Sequence, residues 1–275
     1  MSVKIKRGVL YVCLSVLAAM CLLPFLLMIV NATRSGVEIT HSFTLIPGSH
    51  LKDNWEALFA YVNLFTGFRN SIIVAVPATI LTAYFSAITA YAMAVYRFKG
   101  NKWLFKIIVV FMMIPAQLSL IGFYNLCQKL HMVDSYLPLI LPAIASPGTV
   151  FFLRQYVQAT LSKALLEAAR IDGASEIHIF HKIVLPIMAP GIATMSIGAF
   201  IGNWNSYLVP LILLNTPEKM TLPVMITTLN AATDLQKNQG AIYLGVAISV
   251  VPILIVFCFC SKYIISSISA GSVKE

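Results

Sequence analysis

Six stretches of this chain are too long and too apolar to belong to a water-soluble domain. They run near Val9–Val30, Ser71–Tyr96, Trp103–Cys127, Leu137–Leu153, Ile187–Leu214 and Ala241–Ile265. A helix rises about 1.5 Å per residue, so roughly 20 apolar residues cross the hydrocarbon core of a bilayer. Composition agrees: 59% of the 275 residues are hydrophobic and only 11% are charged, against roughly 25% charged in soluble domains. A core of this size cannot absorb so much apolar surface, so the solvent is lipid. The expected fold class is an all-α membrane protein of six transmembrane helices. The fourth stretch carries Pro138, Pro142 and Pro147, which predict a kink there. The first is too long for the apolar core of a signal peptide and lacks a small-residue cleavage pattern, so it reads as a retained span.

Charge sets the orientation. With the N-terminus inside, thirteen of the nineteen Lys and Arg fall on the inner segments with four acids, and six fall on the outer segments with six acids. The whole net charge of +9 then faces the cytoplasm, as the positive-inside rule requires. Both termini come out cytoplasmic. That distribution fits an anionic lipid leaflet better than nucleic-acid binding. No Asp, Glu, Lys or Arg occupies the middle of a span. Proton- and ion-coupled carriers need such groups, and the chain has no phosphate-binding G-x-x-x-x-G-K-[ST] loop. Energy for transport must therefore come from a partner. The five cysteines (Cys13, Cys21, Cys127, Cys258, Cys260) lie in or beside apolar runs, with neither metal spacing nor a disulfide framework.

The connection between spans four and five, residues 154–186, holds the most specific pattern. Residues 162–171 favour a helix, with Ser162 placed to cap it. Ala164, Leu165, Ala168 and Ile171 recur at helical steps and make one apolar face. Gly173 after Asp172 reads as the helix stop. A second short helix is expected from Ala174, showing Ile177 and Phe180 on one face, and Pro186 opens the next span. The product is helix, glycine turn, helix on the membrane surface. Ala168 and Ala169 permit close backbone approach, and Glu167 offers a carboxylate to a partner's arginine or backbone donors.

The spacing Glu167-Ala168-Ala169, then Gly173, Ile183, Leu185 and Pro186, resembles the signature loop of the permease subunits of binding-protein-dependent ABC importers. The carbohydrate branch, with its maltose- and raffinose-type permeases, is the nearest. Phe68-Arg69-Asn70-Ser71, Ala90-Tyr91-Ala92 with Arg97-Phe98-Lys99-Gly100, Pro115, the run Gly122–Tyr136 and Trp204-Asn205 are also similar to that branch. The chain departs from it at Ser162, where proline is usual, and at Leu166, where a second glutamate is frequent. The resemblance implies a core at 70–268 with the coupling loop at 154–186, preceded by an N-terminal span and outer loop at 1–69. It implies a second permease as heterodimer partner, two ATP-binding subunits that carry ATP and magnesium, and an extracellular solute-binding protein. This chain would hold no cofactor or metal, catalyse nothing, reside in the bacterial cytoplasmic membrane and import a sugar.

Candidate pathway residues are Asn203, Trp204, Asn205 and Tyr207 in span five, with Gln117 and Asn125 in span three. Amides and aromatic faces suit sugars, and they equally suit interhelical hydrogen bonds. Thr194, Gly198, Gly202 and Ser206 form a small-residue stripe that suits close packing, against another helix of this chain or a partner permease. The outer loop Asn215–Gly240, with Asn230 and Asp234, is expected to meet the binding protein. The aromatics Trp55, Phe59, Tyr61, Phe65 and Phe68 suit an interfacial belt. Importers of the same class for a polyol or glycerol phosphate, and a stand-alone channel or secondary carrier, remain as alternatives. A phosphate ligand would want cations along the spans, and a stand-alone channel or carrier would not need Glu167.

Overall fold

The computed structural model describes residues 3–231 and 238–272, and among these the regular structure is entirely helical. The helices are α1 (Val3–Asn31), α2 (Gly36–His41), α3 (Leu51–Tyr61), α4 (Leu64–Val95), α5 (Asn101–Met112), α6 (Leu120–Lys129), α7 (Leu137–Ile140), α8 (Pro147–Thr160), α9 (Lys163–Ile171), α10 (Glu176–Ile179), α11 (Leu185–Trp204), α12 (Leu208–Leu213), α13 (Leu222–Ala231) and α14 (Gln239–Ser272). Five stretches are long and apolar enough to cross a membrane: Arg7–Asn31, Leu64–Val95, Leu137–Thr160, Glu176–Trp204 and Gln239–Ser261. The bent pair α5–α6 makes a sixth candidate. Helices satisfy every backbone group internally, which is what a lipid solvent demands.

The expected third span, Trp103–Cys127, is not one rod. The chain turns by 86° between its two arms, and residues 116–119 form a single 3₁₀ turn. Pro115 lacks a donor and disfavours helix at the residue before it, so the ladder stops there. The fourth span kinks as its prolines predict: a 3₁₀ turn at Leu141–Ile144 separates α7 from α8, and Pro147 opens α8. It also runs further than expected, to Thr160. The fifth span is displaced. It begins at Glu176, continues through a π turn at Phe180–Val184 into α11, and ends at Trp204 rather than Leu214. Pro210 explains the end, because its ring would clash with the carbonyl of Ser206 in a continued helix.

The chain divides into two units, residues 1–68 with 222–251 and residues 69–221 with 252–275. In the first, the expected outer loop is largely helical, as α2 and α3. Asn54 is buried and donates to the carbonyls of Ala32 and Arg34, both at 2.9 Å. A Cβ on Gly240 would stand 2.1 Å from the Arg34 carbonyl oxygen, so only glycine allows this crossing. The buried Arg34 guanidinium donates to the Glu38 carbonyl at 2.6 Å and the Ser42 carbonyl at 3.0 Å. Trp55, Phe59 and Phe65 form a ring chain with centroids 4.6 and 5.5 Å apart. In the second unit the core is Ala87, Ala90 and Tyr91 of α4, Leu153 and Val157 of α8, Leu166 and Ala169 of α9, and Ile179, Phe180, Val184 and Met188. The end of α4 is closed by Asn101, whose amide donates to the Tyr96 carbonyl at 2.8 Å.

Candidate coupling loop and transport pathway

Helix α9 has two apolar faces of opposite fate. Leu166 and Ala169 are buried in the core just described. Leu165, Ala168 and Ile171, the face expected from the sequence, are exposed, Ile171 at 85%. Ala169 thus serves internal packing, and only Ala168 is left for close approach from outside. Leu166, standing where the carbohydrate branch often has glutamate, is a core residue at 2% exposure.

The helix ends in a full Schellman motif. Gly173 takes φ +79°. Its N–H donates to the Arg170 carbonyl at 3.1 Å, and the Ala174 N–H to the Ala169 carbonyl at 3.0 Å. The start of the helix differs from expectation. Ser162 has cap geometry but makes no side-chain cap bond. The serine that does cap is Ser175, which accepts from the His178 N–H at 3.3 Å. Ile177 and Phe180 do not share a face: Ile177 is exposed and Phe180 buried. A π turn at Phe180–Val184 follows and contains Ile183, and Leu185 and Pro186 open α11 directly after it.

Glu167 is exposed and, among the described residues, forms no ion pair. It lines a cavity of about 620 Å³ with Arg97, Gln158, Lys163 and Arg170. Asp172 is exposed at the turn. Close by, Arg170 Nε donates to Glu176 Oε1 at 2.7 Å and its Nη2 to Oε2 at 3.4 Å. The Tyr96 hydroxyl donates to the same carboxylate, and the Arg170 guanidinium lies 5.9 Å from the Tyr96 ring centre.

The proposed pathway residues separate. Asn203 lines two cavities. One, of about 410 Å³, it shares with Thr82, Ser146, Thr149, Gly198 and Gly202. The other, of about 320 Å³, it shares with Ser71, Ser119, Phe123, Ser206 and Thr221. Its own amide donates to the Ala199 carbonyl at 2.9 Å. Trp204 is 1% exposed and stacks on Phe200 at 5.6 Å, so it belongs to the core and not to a pore surface. Asn205, Gln117 and Asn125 are exposed and Tyr207 is half-buried, and none of them lines these cavities. Gly198 and Gly202 face open space, where an added Cβ would meet nothing within 4 Å. At these two positions the stripe meets no helix among the described residues. Thr82 and Thr149 were missed; a single threonine in an apolar run gives no signal of its own.

Beyond α12, the expected loop Asn215–Gly240 contains a 3₁₀ turn at Pro217–Lys219 and helix α13. Asp234 lies outside the described residues, as does the Asn230 side chain. The segment's first part is pinned by Asp134, itself at φ +59°. The carboxylate accepts from the N–H groups of Asn215 and Thr216 at 3.0 Å, the Thr216 hydroxyl at 2.6 Å and Lys219 Nζ at 2.8 Å. The Lys219 ammonium, then these hydrogen bonds, hold the Asp134 carboxyl far below the usual carboxylate range. The buried Asn70 amide adds bonds to the carbonyls of Glu218 and Met220 at 2.8 and 2.9 Å.

A family model described as "Binding-protein-dependent transport system inner membrane component" matches residues 83–269, which include the loop, the π turn and Asn203. The chain belongs to this family. The arabinooligosaccharides transport system permease protein AraQ of Halalkalibacterium halodurans is 37% identical to this inner-membrane component, across 94% of this chain and 93% of that one. The fold is also that of a chain in the crystal structure of a bacterial ABC transporter involved in the import of the acidic polysaccharide alginate. That chain has a TM-score of 0.81 at 23% identity, over 95% of this chain and 97% of that chain. A bacterial alginate ABC transporter in complex with an alginate pentasaccharide-bound periplasmic protein matches with a TM-score of 0.63 at 15% identity, over 94% of both chains. The protein is thus a multi-pass membrane permease whose relatives are transport subunits.

Proposed function

We propose that this chain is one permease half of an ATP-driven importer of oligosaccharides, and that α9 and the turn at Gly173 face the cytoplasm and dock on an ATPase subunit. The observation that carries this reading is the outer face of α9. A nine-residue helix held to the core by Leu166 and Ala169 leaves Leu165, Ala168 and Ile171 uncovered, with Ile177 beyond the turn and Glu167 beside them. Exposed apolar clusters rimmed by charge mark interaction surfaces. A heterodimeric second permease, two ATPase subunits carrying ATP and magnesium, and an extracellular binding protein complete the assembly. The periplasmic protein bound to the related alginate transporter supports the last of these.

A sugar is favoured as cargo by the arabinooligosaccharide relative. Asn203 and the serine and threonine groups around it are neutral hydrogen-bonding groups, which suit hydroxylated solutes. The open stripe at Gly198 and Gly202 is assigned to the pathway or to the second permease.

The test is ATPase activity of the reconstituted complex, with its binding protein loaded in turn with arabinotriose, an alginate trisaccharide and glycerol 3-phosphate. Stimulation by one of the sugars is expected. Stimulation by glycerol 3-phosphate alone would overturn the sugar assignment.

A further inference from the structure

We propose that Arg170, Glu176 and the Tyr96 hydroxyl form a clasp that carries the motion of the docking helix into two membrane spans at once. The inference rests on reading α9 as the docking element.

The three residues come from three elements. Arg170 sits in the last turn of α9, Glu176 opens the α10–α11 span, and Tyr96 immediately follows α4. Arg170 grips the Glu176 carboxylate through two nitrogens, at 2.7 and 3.4 Å. The Tyr96 hydroxyl donates to the same carboxylate and, at 3.4 Å, approaches the Tyr91 hydroxyl. The Tyr91 ring packs on Phe180, with centroids 5.6 Å apart. Phe180 begins the π turn. One carboxylate thus ties the docking helix, the end of the second span and the entry to the fifth.

Stability does not explain this cluster. The Arg170 and Glu176 side chains are 39% and 47% exposed, and ion pairs that open to solvent add little to stability. Direction does explain it. The apolar packing of Leu166 and Ala169 is non-directional and lets elements slide. The only covalent route from α9 to α11 passes through Gly173, where the chain holds φ +79°. A forked guanidinium–carboxylate pair fixes register and angle. With it, displacement of α9 moves Tyr96 and Glu176 as well. Without it, Gly173 absorbs the displacement.

The test is hydrogen exchange on the complete permease–ATPase complex in lipid nanodiscs, with and without ATP and vanadate. In the unsubstituted complex, nucleotide should change protection in α9, at residues 91–96 and at residues 180–188 together. In Arg170→Gln and in Tyr96→Phe, the α9 response should persist while the responses at 91–96 and 180–188 fall roughly fivefold or more, the low end of ordinary coupling energies. The double exchange R170E/E176R should restore them. A merely structural role would loosen these segments equally in both nucleotide states. Unchanged responses at the span ends in Arg170→Gln would overturn the clasp, and so would loss of the ATPase subunits from that variant. An unsubstituted α9 that ignores nucleotide would instead overturn the docking reading on which the clasp rests.

Discussion

Two residues illustrate how single side chains set the geometry of this permease. Gly173 holds φ +79° with open space where a Cβ would be. Alanine there meets no steric neighbour, so its cost is that of the left-handed backbone alone, about 1–2 kcal/mol. We expect Gly173→Ala to insert normally but to loosen the end of α9, seen as faster exchange at the Gly173 and Ala174 amides. An unchanged rate would contradict the Schellman bonds. Asp134 is the second case. Its folded-state pKa is depressed by Lys219 and by the Thr216 and Asn215 donors. The contribution to stability is therefore present above the unfolded carboxyl value, about 3.9, and lost as pH falls below it toward the folded value. Protection of the Asn215 and Thr216 amides should drop on acidification below about pH 4. In Asp134→Asn it should already be low at neutral pH, and far less dependent on pH.

At the scale of elements, α9 shows why the loop was readable and where the reading failed. Its helical propensity, the glycine stop and the apolar face at three- and four-residue steps are local properties, and all appear in the structure. Which apolar residues turn inward is not local. Leu166 and Ala169 are buried because α4 and α8 happen to stand behind them, and no spacing in the loop reveals that. The same limit applies to Ser162, expected as a cap, which makes no cap bond, whereas Ser175 closes the cap of α10. The spans were legible from hydropathy, since lipid imposes length and apolarity. Their ends were not. Pro115 and Pro210 break helices inside apolar runs, and the π turn at Phe180–Val184 extends the fifth span in the other direction. Trp204 looked like a pathway residue because tryptophan beside asparagine suits sugars, yet its indole is in the core. Leu165→Asp with Ile171→Asp should leave the fold intact, since both side chains face outward, but should abolish co-purification of ATPase subunits. Retention of those subunits would show that the partner does not cover this face.

The whole molecule combines long apolar spans, a net charge of +9 biased to one side of the sequence-derived topology, and a coupling-loop helix, α9, with an exposed apolar face. That bias predicts that a cysteine introduced at Lys99 or Lys163 reacts with a membrane-impermeant maleimide only in inverted vesicles, in a background lacking the native cysteines. Labelling in right-side-out cells would reverse the proposed orientation. Under the proposed function, energy enters through the exposed face of α9. The direct test is uptake of radiolabelled arabinotriose into proteoliposomes that hold the complete complex and its binding protein, with and without enclosed ATP, comparing the unsubstituted chain with Glu167→Ala. Truncating one side of an interfacial charge contact costs about 2–5 kcal/mol, with roughly 1.4 kcal/mol per tenfold. Uptake is expected only with ATP, with at least about a tenfold loss in the variant. Uptake that proceeds without ATP and is indifferent to Glu167→Ala would contradict it.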